Sequence, residues 1–310
     1  MSIQWYPGHM NKARKQIIEL LPQVDLVIEV TDARIPYSSE NPLLASIRGD
    51  KPCIKVLTKS DLADPAITTQ WVNYFDDKKG LKGIALTTDQ PTQMRELLDL
   101  CRSMLPAKDS GIQSIKALIM GIPNVGKSTL INILANKIIA KTGNEPAVTK
   151  GQQRIKLDNG IVLFDTPGML WPKVENPNSG YRLAASGAIK NTAMEYDDVA
   201  FYTAKYLLSA YPERLKERYE LDTLPDTELE FLETIGKQRG CLRGGGQVDL
   251  NKVSVLFLNE LRSGILGPIS LETPALMEIE EIEVQKVKDA KIRKEEERKK
   301  RSQKGKRSSK

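Results

Sequence analysis

Short apolar runs, each closed by a polar turn, divide the first half of the chain. They read as strands at 26–30, 53–57, 83–86, 116–120, 154–157 and 161–164. Most alternate with segments of helical periodicity. That alternation predicts an α/β fold, a doubly wound sheet that binds its ligand at the carboxyl ends of the strands. The last two runs flank Asp158-Asn159-Gly160, a strong hairpin signal. Beyond about residue 181 the pattern becomes helical. Residues 202–209 and 212–219 form one helical pattern, Thr227-Glu228-Leu229-Glu230 is a capping box for a helix through Ile235, and Asp249 caps a helix through Arg262 that Gly264 ends. Residues 278–297 are highly charged, with weak periodicity at Ile279, Ile282 and Val287, and read as a frayed helix passing into disorder. The expected organisation is an α/β domain over 1–180, a small all-α domain over 181–275 and a charged, basic, disordered tail over 276–310.

The fourth run leads into Gly121-Ile122-Pro123-Asn124-Val125-Gly126-Lys127-Ser128, and a helical pattern follows from Thr129. This is G-x-x-x-x-G-K-[ST] in the strand–loop–helix setting that a P-loop requires. The glycines let the backbone N–H groups of Asn124, Val125, Gly126 and the residues after them turn toward phosphate oxygens, and the helix beginning near Ser128 and Thr129 adds its positive dipole end. Lys127 reaches the β- and γ-phosphates, and the Ser128 hydroxyl is a ligand for Mg²⁺. Asp165-Thr166-Pro167-Gly168 closes the last run, 38 residues after Lys127. A carboxylate at that strand end holds Mg²⁺ through water, and the Gly168 N–H contacts the γ-phosphate. Between them Thr149 sits in a polar loop, either a second hydroxyl for Mg²⁺ or a turn residue.

Thr58-Lys59-Ser60-Asp61 closes the second run and fits [NT]-K-x-D. The Asp61 carboxylate accepts from guanine N1–H and the 2-amino group. Adenine lacks that donor pair and leaves the acceptor unpaired, so the motif selects GTP and GDP. The Lys59 stem lies over the base. Thr87-Thr88, after the third run, fits the loop that touches the base edge. A metabolic P-loop kinase is disfavoured, because Asp61 reads guanine and no acceptor-substrate motif is visible.

The order of these motifs is rotated. An ordinary small GTPase runs P-loop, threonine, D-x-x-G and then guanine motif; here the guanine motif comes first. The chain therefore reads as a circularly permuted P-loop GTPase domain, a rearrangement that leaves the contacts intact where the original termini lie close together. Permutation sends D-x-x-G straight out through Trp171-Pro172-Lys173 and Asn176-Pro177-Asn178-Ser179-Gly180 into the helical region, so a γ-phosphate-dependent loop is expected to pull on that region directly.

Composition changes this picture only at the margins. At 310 residues and 40% hydrophobic, the chain has room for two cores. No apolar run approaches the roughly 18 residues of a spanning helix, and the N-terminus lacks a basic-then-apolar signal pattern. A cytoplasmic protein with no membrane partner is expected. Cys53, Cys101 and Cys241 are far apart without metal-binding spacing and suggest reduced, buried thiols. The net charge of +6 is uneven: residues 298–310 hold eight Lys/Arg and no acid, which leaves 38 basic and 40 acidic residues elsewhere. That tail reads as a solubilising end, an RNA-phosphate contact or a membrane-surface segment. The glycine-rich stretch 237–246, with Lys237, Arg239 and Arg243, reads equally as a flexible turn or an RNA-backbone contact.

Further residues carry a resemblance. They are Trp5-Tyr6-Pro7-Gly8-His9-Met10, the segment 25–32 with Ala33-Arg34-Ile35-Pro36, Met169-Leu170-Trp171-Pro172 after D-x-x-G, and Ile235-Gly236-Lys237-Gln238-Arg239-Gly240-Cys241-Leu242. With the rotated motif order, they make the chain resemble the bacterial YlqF/RbgA-type circularly permuted GTPases, the ribosome biogenesis GTPase A family, over about residues 3–270. The resemblance implies a GTP hydrolase that binds the precursor of the large ribosomal subunit and couples hydrolysis to late 50S assembly and its own release. It favours RNA contact by the helical region. Met169 stands where many GTPases carry a water-orienting Gln, and the resemblance assigns that role to His9, a lone histidine that otherwise reads as a surface or packing residue. It also matches Asn124 to the asparagine that holds K⁺ in potassium-stimulated relatives, where the plain alternative is a loop-shaping residue. The chain departs from the family at Thr58, usually Asn, and at Thr87-Thr88-Asp89, where Ser-Ala-Lys is common. Met169 also keeps open a GTP-dependent RNA-binding scaffold with incidental hydrolysis.

Overall fold

The computed structural model describes residues 9–87, 90–106, 114–139, 153–157, 160–168, 174–189 and 195–307. Helix α1 (His9–Leu20) precedes β1 (Leu26–Asp32), followed by α2 (Pro42–Arg48), β2 (Cys53–Thr58), α3 (Pro65–Asp76) and β3 (Leu81–Ala85). Then come α4 (Pro91–Ser103), β4 (Ile115–Gly121), α5 (Lys127–Leu134), β5 (Gln153–Lys156) and β6 (Ile161–Asp165). The strands form one sheet in the order β3-β2-β1-β4-β6-β5. All neighbours are parallel except β5, which runs antiparallel to β6 with Ile155 opposite Leu163. β1, β2 and β6 are buried along their whole lengths, as a sheet covered on both faces requires, whereas edge strand β5 buries only Ile155.

Each strand expected from the apolar runs is present. β1 and β2 run further than their apolar residues, to Asp32 and Thr58, because cross-strand pairing of Thr31 with Leu57 and Asp32 with Thr58 carries the ladder onward. β4 must be glycine at its last position: a Cβ on Gly121 would lie 2.5 Å from the Val30 carbonyl oxygen. β1 and β4 are adjacent, and the chain leaves them toward opposite edges of the sheet. The crevice at their carboxyl ends is the topological switch point, where open α/β sheets bind ligands.

The helices after β6 are α6 (Pro177–Ala185), α7 (Tyr196–Ala210), α8 (Pro212–Tyr219), α9 (Glu228–Gln238) and α10 (Leu250–Arg262). α6 starts inside the stretch that the sequence reads only as an exit from D-x-x-G; Pro177 occupies its first turn and Asn176 Oδ1 accepts from Asn178 N at 3.0 Å. The single pattern over 202–219 is two helices, since Pro212 cannot continue α7 and opens α8. Both capping signals are realised: Thr227 Oγ1 accepts from Glu230 N at 3.2 Å, and Asp249 Oδ1 from Lys252 N at 3.3 Å. An edge-to-face ladder of Tyr219, Phe231 and Phe257 binds α8, α9 and α10 together.

The chain divides into two compact units, Met1–Glu272 and Thr273–Lys310, so α6–α10 belong to the same unit as the sheet. Among the described residues the second unit contains one helix, α11 (Pro274–Arg307). The sequence reads this stretch as fraying into disorder, but the helix continues to Arg307. Its Glu, Lys, Arg and Gln are strong helix formers, and no Gly or Pro interrupts residues 275–304. No described helix is long and apolar enough to cross a membrane.

Candidate nucleotide-binding site

β4 delivers the P-loop to the switch point. Asn124 (φ 61°) and Gly126 (φ 86°) take left-handed conformations, turning successive N–H groups into a concave, anion-binding cradle. Lys127 and Ser128 then open α5. Lys127 is buried and donates through Nζ to Asp165 Oδ1 at the end of β6. Burial raises the Asp165 carboxyl above its ordinary range, and Lys127 offsets only part of that. Asp165 Oδ2 is buried with no hydrogen-bond partner among the described residues, an acceptor suited to a water on Mg²⁺. With Ser128 in the first turn of α5, the donor set fits this hard cation, which typically retains waters and phosphate ligands. Gly168 brings the D-x-x-G loop against the P-loop: a Cβ there would stand 3.1 Å from Pro123 N.

The guanine motif follows β2. Thr58 is 6% exposed, and its hydroxyl reaches two carbonyls, Thr31 O at 2.8 Å and Val125 O. Thr58 thus ties β2 to β1 and to the P-loop. Lys59 is left-handed (φ 56°). Its ammonium lies 3.0 Å from Asp32 Oδ2 and donates to Asn124 O at 2.7 Å. Asp61 is exposed in the 3₁₀ turn Ser60–Leu62, free of the packing that holds Thr58. Leu86 N donates to Leu57 O at 2.8 Å, which brings the base-edge loop beside this motif. Thr87 there is buried, with its N–H on Gln93 Oε1 at 3.2 Å and its hydroxyl without a partner among the described residues.

Two features of the site are not readable from motifs. One is Asp32, the last residue of β1, which accepts from Arg34 N, Nε and Nη2 at 3.0, 2.9 and 2.8 Å as well as from Lys59. Burial alone would raise its carboxyl, but Arg34 and Lys59 outweigh that and hold it well below the usual range. The closely spaced Asp-Ala-Arg was the available signal. The other is the C-terminus of α6, where side chains join the backbone N–H groups of 186–188 on the last carbonyls. Arg262 of α10 donates to Ala184 O and Ala185 O at 2.8 and 3.0 Å, Arg34 approaches Ser186 O at 3.4 Å, and Asn124 Nδ2 donates to Gly187 O at 2.9 Å. A P-loop side chain and an α10 side chain therefore hold the same helix end.

Lys237, Arg239 and Arg243 are exposed at the α9–α10 connection. That connection is an ordered turn, closed by the Leu242–Val248 bridge and by Arg243 N on Gln247 O at 2.8 Å. Arg239 lies 5.8 Å from the Tyr219 ring centroid, and Arg243 pairs with Asp249 at 3.2 Å. Thr88, Thr149, Met169 and 171–173 lie outside the described residues, as does the side chain of His9, which begins α1.

A largely parallel sheet carrying a P-loop, D-x-x-G and guanine motif at its carboxyl ends, in rotated order, defines a circularly permuted P-loop GTPase. Residues 116–222 match the family model described as 50S ribosome-binding GTPase; the guanine motif lies upstream of that match, as permutation requires. The chain is similar to the ribosome biogenesis GTPase A of Bacillus cereus, 47% identical over 296 residues that cover 93% of this chain and 100% of the relative. The Thermotoga maritima protein of the same name is 32% identical over 272 residues, 88% of this chain and 95% of its own. Solved structures of GDP-bound YlqF and of GNP-bound YlqF from T. maritima superpose with TM-scores of 0.61 and 0.59 at 29% identity, covering 84% and 85% of this chain and 99% and 98% of theirs. The chain belongs to the ribosome biogenesis GTPase A family.

Proposed function

We propose that this GTPase binds the precursor of the large ribosomal subunit in its GTP form, couples hydrolysis there to late 50S assembly, and leaves as the GDP form. One observation carries the reading. β6 ends in the D-x-x-G loop, the chain continues into α6, and the end of α6 is held at once by Asn124 of the P-loop and Arg262 of α10. Loops that respond to the γ-phosphate thus have a short mechanical route into the helical region. The relatives' name, ribosome biogenesis GTPase A, and the family description, 50S ribosome-binding GTPase, support the ribosomal partner.

The roles follow from the chemistry. Asp61, Lys59 and Thr58 select guanine, with Thr87 and Thr88 at the base edge. The backbone of 124–129 and Lys127 bind the phosphates, and Gly168 reads the γ-phosphate. Ser128, Thr149 and Asp165 hold Mg²⁺, which neutralises charge on the transferred phosphoryl group. Asn124 takes K⁺, and His9 orients the attacking water in place of the Gln that Met169 displaces. Residues 1–180 form the GTPase domain, 181–275 the RNA-binding helical domain and 276–310 a basic extension, in a cytoplasmic protein. Lys237, Arg239 and Arg243 contact the rRNA backbone.

The test is multiple-turnover GTP hydrolysis with and without 50S subunits, in K⁺ and in Na⁺. Stimulation by the subunit is expected, with faster turnover in K⁺. No stimulation would favour an RNA-binding scaffold, and equal rates in the two salts would remove K⁺ from Asn124.

A further inference from the structure

Lys59 is a lysine at the rim of the base site whose ammonium is fixed at both ends of its reach. Asp32 Oδ2 lies 3.0 Å from Nζ on one side, and Asn124 O accepts at 2.7 Å on the other. The stem between is not enclosed: 28% of the side chain is exposed, against 3% for Asp32. Arg34 sets the carboxylate plane. Its Nε and Nη2 form a two-point fork on Oδ1 and Oδ2, and its N–H adds a third bond to Oδ1. The second lone pair of Oδ2 is left for Lys59.

We propose that Asp32 is the positioning residue for guanine binding, holding the Lys59 stem across the base plane before nucleotide arrives. This rests on the GTP-binding reading above. A lysine stem is otherwise a free rotor, and fixing it in advance removes an ordering cost from association. A purely structural Asp32 would be complete with the Arg34 fork alone. The partly exposed Lys59, which has water available, adds little to folding. The bond between them matters chiefly to whatever lies along the stem. Among the described residues the side-chain bonds of Asp32 go to Arg34 and Lys59. Lys59 in turn meets the P-loop at Asn124 O, a carbonyl present for either nucleotide, so the effect is expected alike in GDP and GTP.

A double-mutant cycle on fluorescent GDP and a non-hydrolysable GTP analogue tests this. Asp32→Asn and Lys59→Met are each expected to lose about tenfold in affinity for both nucleotides. The double variant is expected to bind within about twofold of Lys59→Met, because the second change has nothing left to release. Additive losses, or a loss confined to the GTP analogue, would overturn the assignment. If the unaltered protein bound neither nucleotide, the GTP-binding reading would fall instead. A second measurement does not depend on the folding of Asp32→Asn. In the unaltered protein without added nucleotide, the Lys59 ammonium, assigned with Lys59→Arg, is expected to give an exchange-protected lysine NMR signal that persists on adding GDP. A signal in fast exchange with water would overturn the proposal.

Discussion

Lys127 and Asp165 are bound to each other, Nζ on Oδ1, although Lys127 opens α5 and Asp165 ends β6. Neither is solvated, so each depends on the other. Lys127→Met leaves a carboxylate buried without its cation and is expected to cost about 3 kcal/mol at neutral pH. Burial already raises the Asp165 carboxyl, and Lys127 is what restrains the rise. A raised carboxyl is tolerated in its neutral form, so the stability deficit is largest above its folded pKa and shrinks as pH falls through it. Urea denaturation of both proteins at pH 5 and pH 8 measures this: the gap should narrow at pH 5.

Gly168 leaves a side chain only a tight fit against the P-loop backbone, since its Cβ would stand 3.1 Å from Pro123 N. Gly168→Ala is expected to push the D-x-x-G loop away from the P-loop. Affinity for a non-hydrolysable GTP analogue should fall by about tenfold through loss of one charge-assisted bond, with GDP changed much less. Equal losses for the two nucleotides would mean that Gly168 does not report on the γ-phosphate.

Arg262 satisfies two carbonyls at the end of α6, a position where a cation also complements the helix dipole. Arg262→Met should destabilise the protein by about 2 kcal/mol by removing two charge-assisted hydrogen bonds, although Ala184 O keeps the Gly187 N–H at 3.1 Å. If α6 relays the nucleotide state, subunit-stimulated hydrolysis should fall further than stability alone explains; chemical denaturation and turnover assays on one preparation separate the two effects.

Lys237 projects from the last turn of α9 and Arg243 from the ordered turn that follows it, neither from a loose loop. Alanine at both is expected to weaken binding to 50S particles and to reduce the slope of log affinity against log salt by about two. An unchanged slope in filter-binding measurements would move the RNA contact elsewhere.

Much of the site was legible because its chemistry is local. Gly121–Ser128, Thr58–Asp61 and Asp165–Gly168 each place their groups within a few residues, directly after apolar runs that form parallel strands. The Thr227 and Asp249 caps are equally local, since a cap bonds two or three residues along. Pro212 was visible too, but periodicity across 202–219 concealed the break it makes between α7 and α8.

The order of motifs and the alternation of apolar runs determined the permuted α/β domain, its nucleotide class and the helical region after it. Tertiary structure alone decided what holds that site in shape: Thr58 on the Val125 carbonyl, Asp32 on Lys59, and α6 ending between Asn124 and Arg262. These partners are 27 to 78 positions apart. Helix and strand periods report only neighbours within a turn or along one face. Which distant side chains meet depends on strand order, and the sheet had to close before Asp32 could stand beside Lys59.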